Sequence, residues 1–212
     1  MSAIQSMNGG HAAAASIQRE ASSGGVPPMV KALTGGIEGG IGGMGEFPSA
    51  QGLSDAACNS DLVGMNKMLG SNIGVDARDH QGSTPLMVAS WHGNAEAVGR
   101  LLSVGAAVEL KGNDGETALH LASWCGNMRC IELLLRAGTS VDNKDKEGMT
   151  PLMFAAWNGR EAAVEILIRA QAKVDAVDAN GSTALMLAAE EGHADVLRFL
   201  QKQAAAAKLK HR

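Results

Sequence analysis

A ten-residue stretch, Thr84-Pro85-Leu86-Met87-Val88-Ala89-Ser90-Trp91-His92-Gly93, returns three times along this chain. The returns are Thr117-Ala118-Leu119-His120-Leu121-Ala122-Ser123-Trp124-Cys125-Gly126, Thr150-Pro151-Leu152-Met153-Phe154-Ala155-Ala156-Trp157-Asn158-Gly159 and Thr183-Ala184-Leu185-Met186-Leu187-Ala188-Ala189-Glu190-Glu191-Gly192, each 33 residues after the last. A unit that short cannot bury its own apolar face, so copies have to stack. The expected architecture is an all-α solenoid.

Within each copy the local chemistry is readable. Thr84, Thr117, Thr150 and Thr183 can cap a helix N-terminus, and Pro85 and Pro151 follow where a missing N–H costs nothing. The first helix then runs about two turns to Gly93, Gly126, Gly159 or Gly192, a left-handed stop. Second helices carry Val98, Leu101 and Leu102, then Ile131, Leu134 and Leu135, then Val164, Leu167 and Ile168 at helical spacing, and these should form the core. Gly105 and Gly138 end two of them, while Gln171 stands where the third glycine belongs. Asp79 to Gly82, Gly112 to Gly115, Asp145 to Gly148 and Asp178 to Gly181 read as turns projecting on one side.

Thr-Pro-Leu followed by an Ala-rich turn at this period resembles the ankyrin repeat family, whose unit is a β-turn plus two antiparallel helices. Four full copies are expected at 79–111, 112–144, 145–177 and 178–203, preceded by a degenerate one at 49–78. In that first copy Leu53, Ala56, Met68 and Leu69 fall in register, but Gln51 replaces the Thr and Ser60 the Gly. Polar terminal units close a solenoid against water, and Gln201 with basic Lys208, Lys210 and Arg212 suggest the same at the other end. The last helix is expected to run on through Ala204 to Ala207, within a basic extension at 204–212.

Residues 1–48, rich in Gly, Ala and Ser, cannot offset their ordering entropy and read as a disordered tail. Gly40, Gly42 and Gly45 satisfy a phosphate-loop spacing without the strand that reading requires, so the match is compositional. Arg19 to Ser22 has a kinase-site look, too short to carry weight. The start lacks the apolar core of a secretory signal, although a transit peptide is a minor alternative. Three cysteines without metal-type spacing read as reduced thiols, giving a cytoplasmic or nuclear expectation. A net charge of −4 argues against a general nucleic-acid binder. No run is long enough to span a membrane.

The resemblance implies a non-catalytic module without cofactor or metal, binding a protein partner on a concave face made of turn tips and first-helix ends. The matching residues are His80, Gln81, Ser83, Trp91 and His92; Asn113, Asp114, Glu116, Trp124 and Cys125; Lys146, Glu147, Met149, Trp157 and Asn158; and Ala179, Asn180, Ser182, Glu190 and Glu191. All three tryptophans hold one repeat position there, in a chain with no Tyr and three Phe. Trp is the residue most enriched at binding hot spots.

Packed helices lie ~8–10 Å apart, so indoles that do not lean together leave slots for an aliphatic or guanidinium group. Glu116, Glu147, Glu190 and Glu191 would favour a cation. The expectation is an extended partner segment carrying Leu, Arg or Lys. A second reading stays open, in which each Trp lies flat on the next repeat and braces the stack. A methyl-lysine cage would need convergent aromatics, whereas a ladder spreads them.

His92 and Cys125 lack a third member for metal or nucleophilic chemistry. His120, matched by Met87, Met153 and Met186, reads as a packing position. Asp76, Glu109, Asp142 and Asp175 form an acidic column where related repeats carry a modifiable Asn, and read as a solvated edge or a set of turn contacts. The chain is expected to be a monomer or a subunit of a hetero-complex. The rivals are a larger assembly that buries the Trp column and a thiol- or metal-dependent enzyme using Cys125.

Overall fold

The computed structural model of the chain describes residues 49–71 and 73–210, with the side chains of 206–210 excluded. The expected tail at 1–48, with its glycine match and Arg19 to Ser22, lies outside the described residues. Among the described residues there are ten helices and no strand. They pair as α1 (Ala50–Cys58) with α2 (Leu62–Leu69), α3 (Pro85–His92) with α4 (Ala95–Ser103), and α5 (Ala118–Cys125) with α6 (Met128–Arg136). Next come α7 (Pro151–Trp157) with α8 (Glu161–Arg169), and α9 (Ala184–Glu190) with α10 (Ala194–Lys210). The last helix carries Lys208 and Lys210 in its backbone rather than ending before them.

Helix starts and stops follow the local code. The hydroxyls of Thr84, Thr150 and Thr183 accept from the backbone N–H three residues on, at 3.3, 3.4 and 3.3 Å. The glycine after each first helix is left-handed, with φ between 64° and 76°. Where glycine is missing the backbone does the same: Ser60 and Gln171 hold φ of 58° and 67°. The helix end at Gln171 is therefore not looser. It has the same geometry in a residue that strains to adopt it.

Stacking supplies the core. Leu86, Leu119 and Leu152 from the first helices and Val98, Ile131 and Val164 from the second are essentially inaccessible. In the first unit Leu53, Ala57 and Met65 are equally buried, so its degeneracy does not cost it a core. At the other end the expected polar closure is only partial, because Met186 and Val177 are exposed.

Each projecting turn closes with its glycine N–H donating to the carbonyl three residues back, at 3.0 to 3.2 Å. One carboxylate organises the finger: Asp79 Oδ1 accepts from the N–H groups of Gln81 and Ser83, Asp145 Oδ1 from Glu147 and Met149, and Asp178 Oδ1 from Asn180 and Ser182. The third unit has Gly112 at this place. There Glu116, four residues on, reaches back so that its Oε2 accepts from Asp114 N–H at 2.9 Å. A Cβ on Gly112 would meet Glu116 Oε1 at 2.0 Å, so the glycine makes room for the substitute carboxylate.

This exchange predicts a compensating pair. Glu116→Ser should destabilise the protein by about 1.5–3 kcal/mol, the usual worth of a buried hydrogen bond to a charged group. Adding Gly112→Asp should recover most of the loss in urea unfolding. No recovery would mean that Glu116 does not stand in for the aspartate.

Candidate functional site

The face made of turn tips and first-helix ends contains every residue singled out from the sequence, but not in the expected exposure. His80, His92, Lys146, Glu147, Glu190 and Glu191 are exposed, and Gln81, Cys125, Asn158 and Trp157 are half-buried. Ser83, Glu116 and Met149 are buried, against expectation. Ser83 O, Glu116 O, Met149 O and Ser182 O all accept from the N–H that opens their finger, yet Ser182, in the last unit, is only half-buried, so it is the following unit that covers the position.

The tryptophan column departs furthest from a row of open indoles. Trp91 keeps 8 % and Trp124 4 % of its accessible surface. Trp124 packs edge-on against Phe154 and Trp157 of the next unit, with centroids 5.9 and 5.8 Å away. The indoles lean into the gap that parallel helices leave, so no slot separates this pair. Trp157 is half-buried, and its Nε1 donates to Glu191 Oε1 at 3.0 Å. Trp124 thus contacts the next unit as the bracing alternative requires, but edge-on rather than lying flat. The chain itself covers Trp91 and Trp124 and leaves Trp157 partly open.

Asn158, singled out above, and a second set of residues that was not, sit beside these rings. Asn127 Nδ2 donates to Ser90 O and Trp91 O at 2.8 and 2.9 Å. Asn158 Nδ2 and Arg160 Nε donate to Trp124 O at 2.8 and 3.2 Å, and His193 Nε2 lies 2.9 Å from Trp157 O. Asn94 likewise donates to Ala57 O at 2.7 Å. Positions 94, 127, 160 and 193 form a 33-spaced column of donors that caps the helix end of the preceding unit. The signal was its register, one residue after the glycine column.

Two further columns tie unit to unit. Asp76 and Asp142 accept from the N–H of Ala107 and Lys173 at 3.0 and 2.9 Å, and Glu109 from Ser140 at 2.7 Å, which makes the acidic column a set of turn contacts. Arg78, Lys111 and Lys144 donate to the carbonyls of Lys111, Lys144 and Val177 at 2.8, 2.8 and 2.7 Å.

His120 is completely buried. Thr117 N–H donates to its Nδ1 at 3.1 Å, so the proton sits on Nε2, which donates to Met149 O of the next finger at 3.1 Å. In the next unit Met153 sulfur takes the same place, accepting from Thr150 N–H at 3.4 Å. Burial holds the imidazole down to a pKa of about 4. Burial moves the thiols the other way, Cys125 up to about 12 and Cys130 up to about 11. A nucleophilic or metal-binding cysteine needs the opposite shift. Among the described residues no group of three His, Cys, Asp or Glu side chains is placed to hold a metal ion.

Such a molecule is a solenoid of helical hairpins whose turns form one face. A family model described as Ankyrin repeats (3 copies) matches residues 53–145 and 129–211, and the chain belongs to the ankyrin repeat family. No curated protein matches it. Members of the family are generally protein–protein interaction modules and are typically non-catalytic.

Two outcomes follow. Trp124→Ala should cost about 3–5 kcal/mol in chemical unfolding, as for a buried large side chain, and Trp157→Ala distinctly less. A loss below about 1 kcal/mol at Trp124 would return the ring to the surface.

The depressed pKa of His120 favours the neutral form in the fold. Its stabilisation is complete above pH 6.5 and is lost as pH falls toward 4, by about 3 kcal/mol in all. Glu116 and Asp145, whose carboxyls burial pushes up, titrate with the opposite sign. The difference between wild type and His120→Met isolates the histidine, and the variant should gain relative stability on acidification. Parallel curves from pH 7 to 4 would refute the assignment.

Proposed function

We propose that this protein binds an extended, basic segment of a partner protein along the turn tips and first-helix ends, without catalysing a reaction. The observation that carries the reading is where the tryptophan column gives way to acid. Beside half-buried Trp157 stand exposed Glu190 and Glu191, and Glu147 is exposed on the preceding finger. A lysine or arginine placed there meets carboxylates and the accessible part of an indole, an arrangement that favours a cation over water. His80, Gln81, His92, Cys125, Lys146 and Asn158 supply polar contacts along the rest of the surface. Three free cysteines support a reducing setting, cytoplasm or nucleus.

Selection from a displayed peptide library against the full chain tests this. Recovered peptides should be enriched in Lys or Arg next to an aliphatic residue, and Glu190→Lys with Glu191→Lys should weaken them at least tenfold. The thermal midpoint should fall only slightly, since both side chains are exposed and the one bond lost is that from Trp157 Nε1 to Glu191. Peptides without basic residues, or peptides that bind the variant equally, would defeat the proposal.

A further inference from the structure

The fifth hairpin, α9 with α10, presents to solvent the same side that every earlier hairpin presents to its successor. Met186 is 49 % exposed, whereas its counterparts Met87 and Met153 are 1 % exposed and His120 is completely covered. Ser90, Ser123 and Ala156 are fully buried, and their counterpart Ala189 is exposed. Val98, Ile131 and Val164 are fully buried, and Leu197 is half-exposed. The stacking side is therefore kept apolar at three positions where a solvated end would carry polar groups.

Its charges are arranged in a way the internal interfaces are not. Arg100 Nε donates to Asn66 Oδ1 at 2.6 Å, so the first member of the column 66, 99, 132, 165 and 198 reaches the following unit. The two preceding members are Glu132 and Glu165, and the last is Arg198. Conversely, the Trp column, whose members Trp124 and Trp157 reach toward the following unit, ends in Glu190. The end face thus carries an acid on α9 and a base on α10, with Met186 and Leu197 as its apolar part. Arg198 meanwhile pairs with Asp195 on its own helix, an exposed contact that holds it weakly.

We propose that this end face docks on a second copy of the chain. A two-fold axis lying in the face, parallel to the helices and between them, carries α9 of one copy over α10 of the other. Glu190 then meets the partner's Arg198 twice, and the Met186 and Leu197 side chains are covered by the same surface that offers them. Head-to-tail stacking would not use this pairing and would not close. The contact covers the side that repeat-to-repeat packing leaves open at the end of the chain and is small, so the dimer is reversible and concentration-dependent.

Sedimentation equilibrium of the full chain across a wide concentration range tests the inference. The expected result is a monomer–dimer equilibrium. Met186→Lys should weaken it at least tenfold, and Arg198→Glu, which sets acid against acid, similarly. Arg198→Glu combined with Glu190→Arg should restore association to within about threefold, since the swap re-forms both pairs. A monomer at every concentration, open-ended growth, or a dimer indifferent to Met186→Lys and Arg198→Glu would overturn it. Glu190 is shared with the proposed peptide face, so the peptide selection is repeated on Met186→Lys, which keeps Glu190 and Glu191 but not the dimer, and there reads independently of this result.

Discussion

Each hairpin in this chain is half of a core, and only its neighbour completes it. Leu86, Leu119 and Leu152 are essentially closed to water, whereas Leu185, their counterpart in the last unit with no unit after it, is only half-buried. That requirement explains why the units are so alike. A side chain that fits one interface fits the next, so the period is conserved within the molecule by geometry. The polar groups obey it as well. The donors at 94, 127, 160 and 193, the carboxylates at 76, 109 and 142, and the cations at 78, 111 and 144 each act on an adjacent unit.

The tryptophans belong to the same system. With carbonyls at the helix ends bound by Asn127, Asn158, Arg160 and His193, the ends are held, and the Trp124 ring finds its partners, Phe154 and Trp157, in the next unit. The column sets the spacing of the helix ends between the fingers. The exposed surface beside it is polar and uneven, with carboxylates gathered at Glu147, Glu190 and Glu191. Trp157, half-exposed, is bonded to Glu191.

The repeat, the caps and the left-handed glycines were legible because each depends on a few neighbouring residues. Ser60 and Gln171 show that the backbone keeps its turn even where the sequence gives no sign of it, since stacking over-determines the local conformation. Gly112 looks like a defect in the aspartate column until Glu116 is seen folding back into the vacancy, an exchange between positions four apart that periodicity alone does not pair. Exposure was the quantity least available from sequence. Repeat position told that the three indoles share a side, but whether a side chain stands up or lies down is decided by the next unit's Phe154 and Trp157.

The central claim is that the tryptophan column is part of the interior, and the chain lends itself to testing it because it contains three Trp and no Tyr. Acrylamide quenching of variants that keep one tryptophan at a time, with Phe at the other two positions, reads each indole separately. The account predicts blue-shifted, well-shielded emission from Trp91 and Trp124 and intermediate quenching of Trp157. Quenching of all three at the rate of free indole in water, in a folded protein, would contradict it.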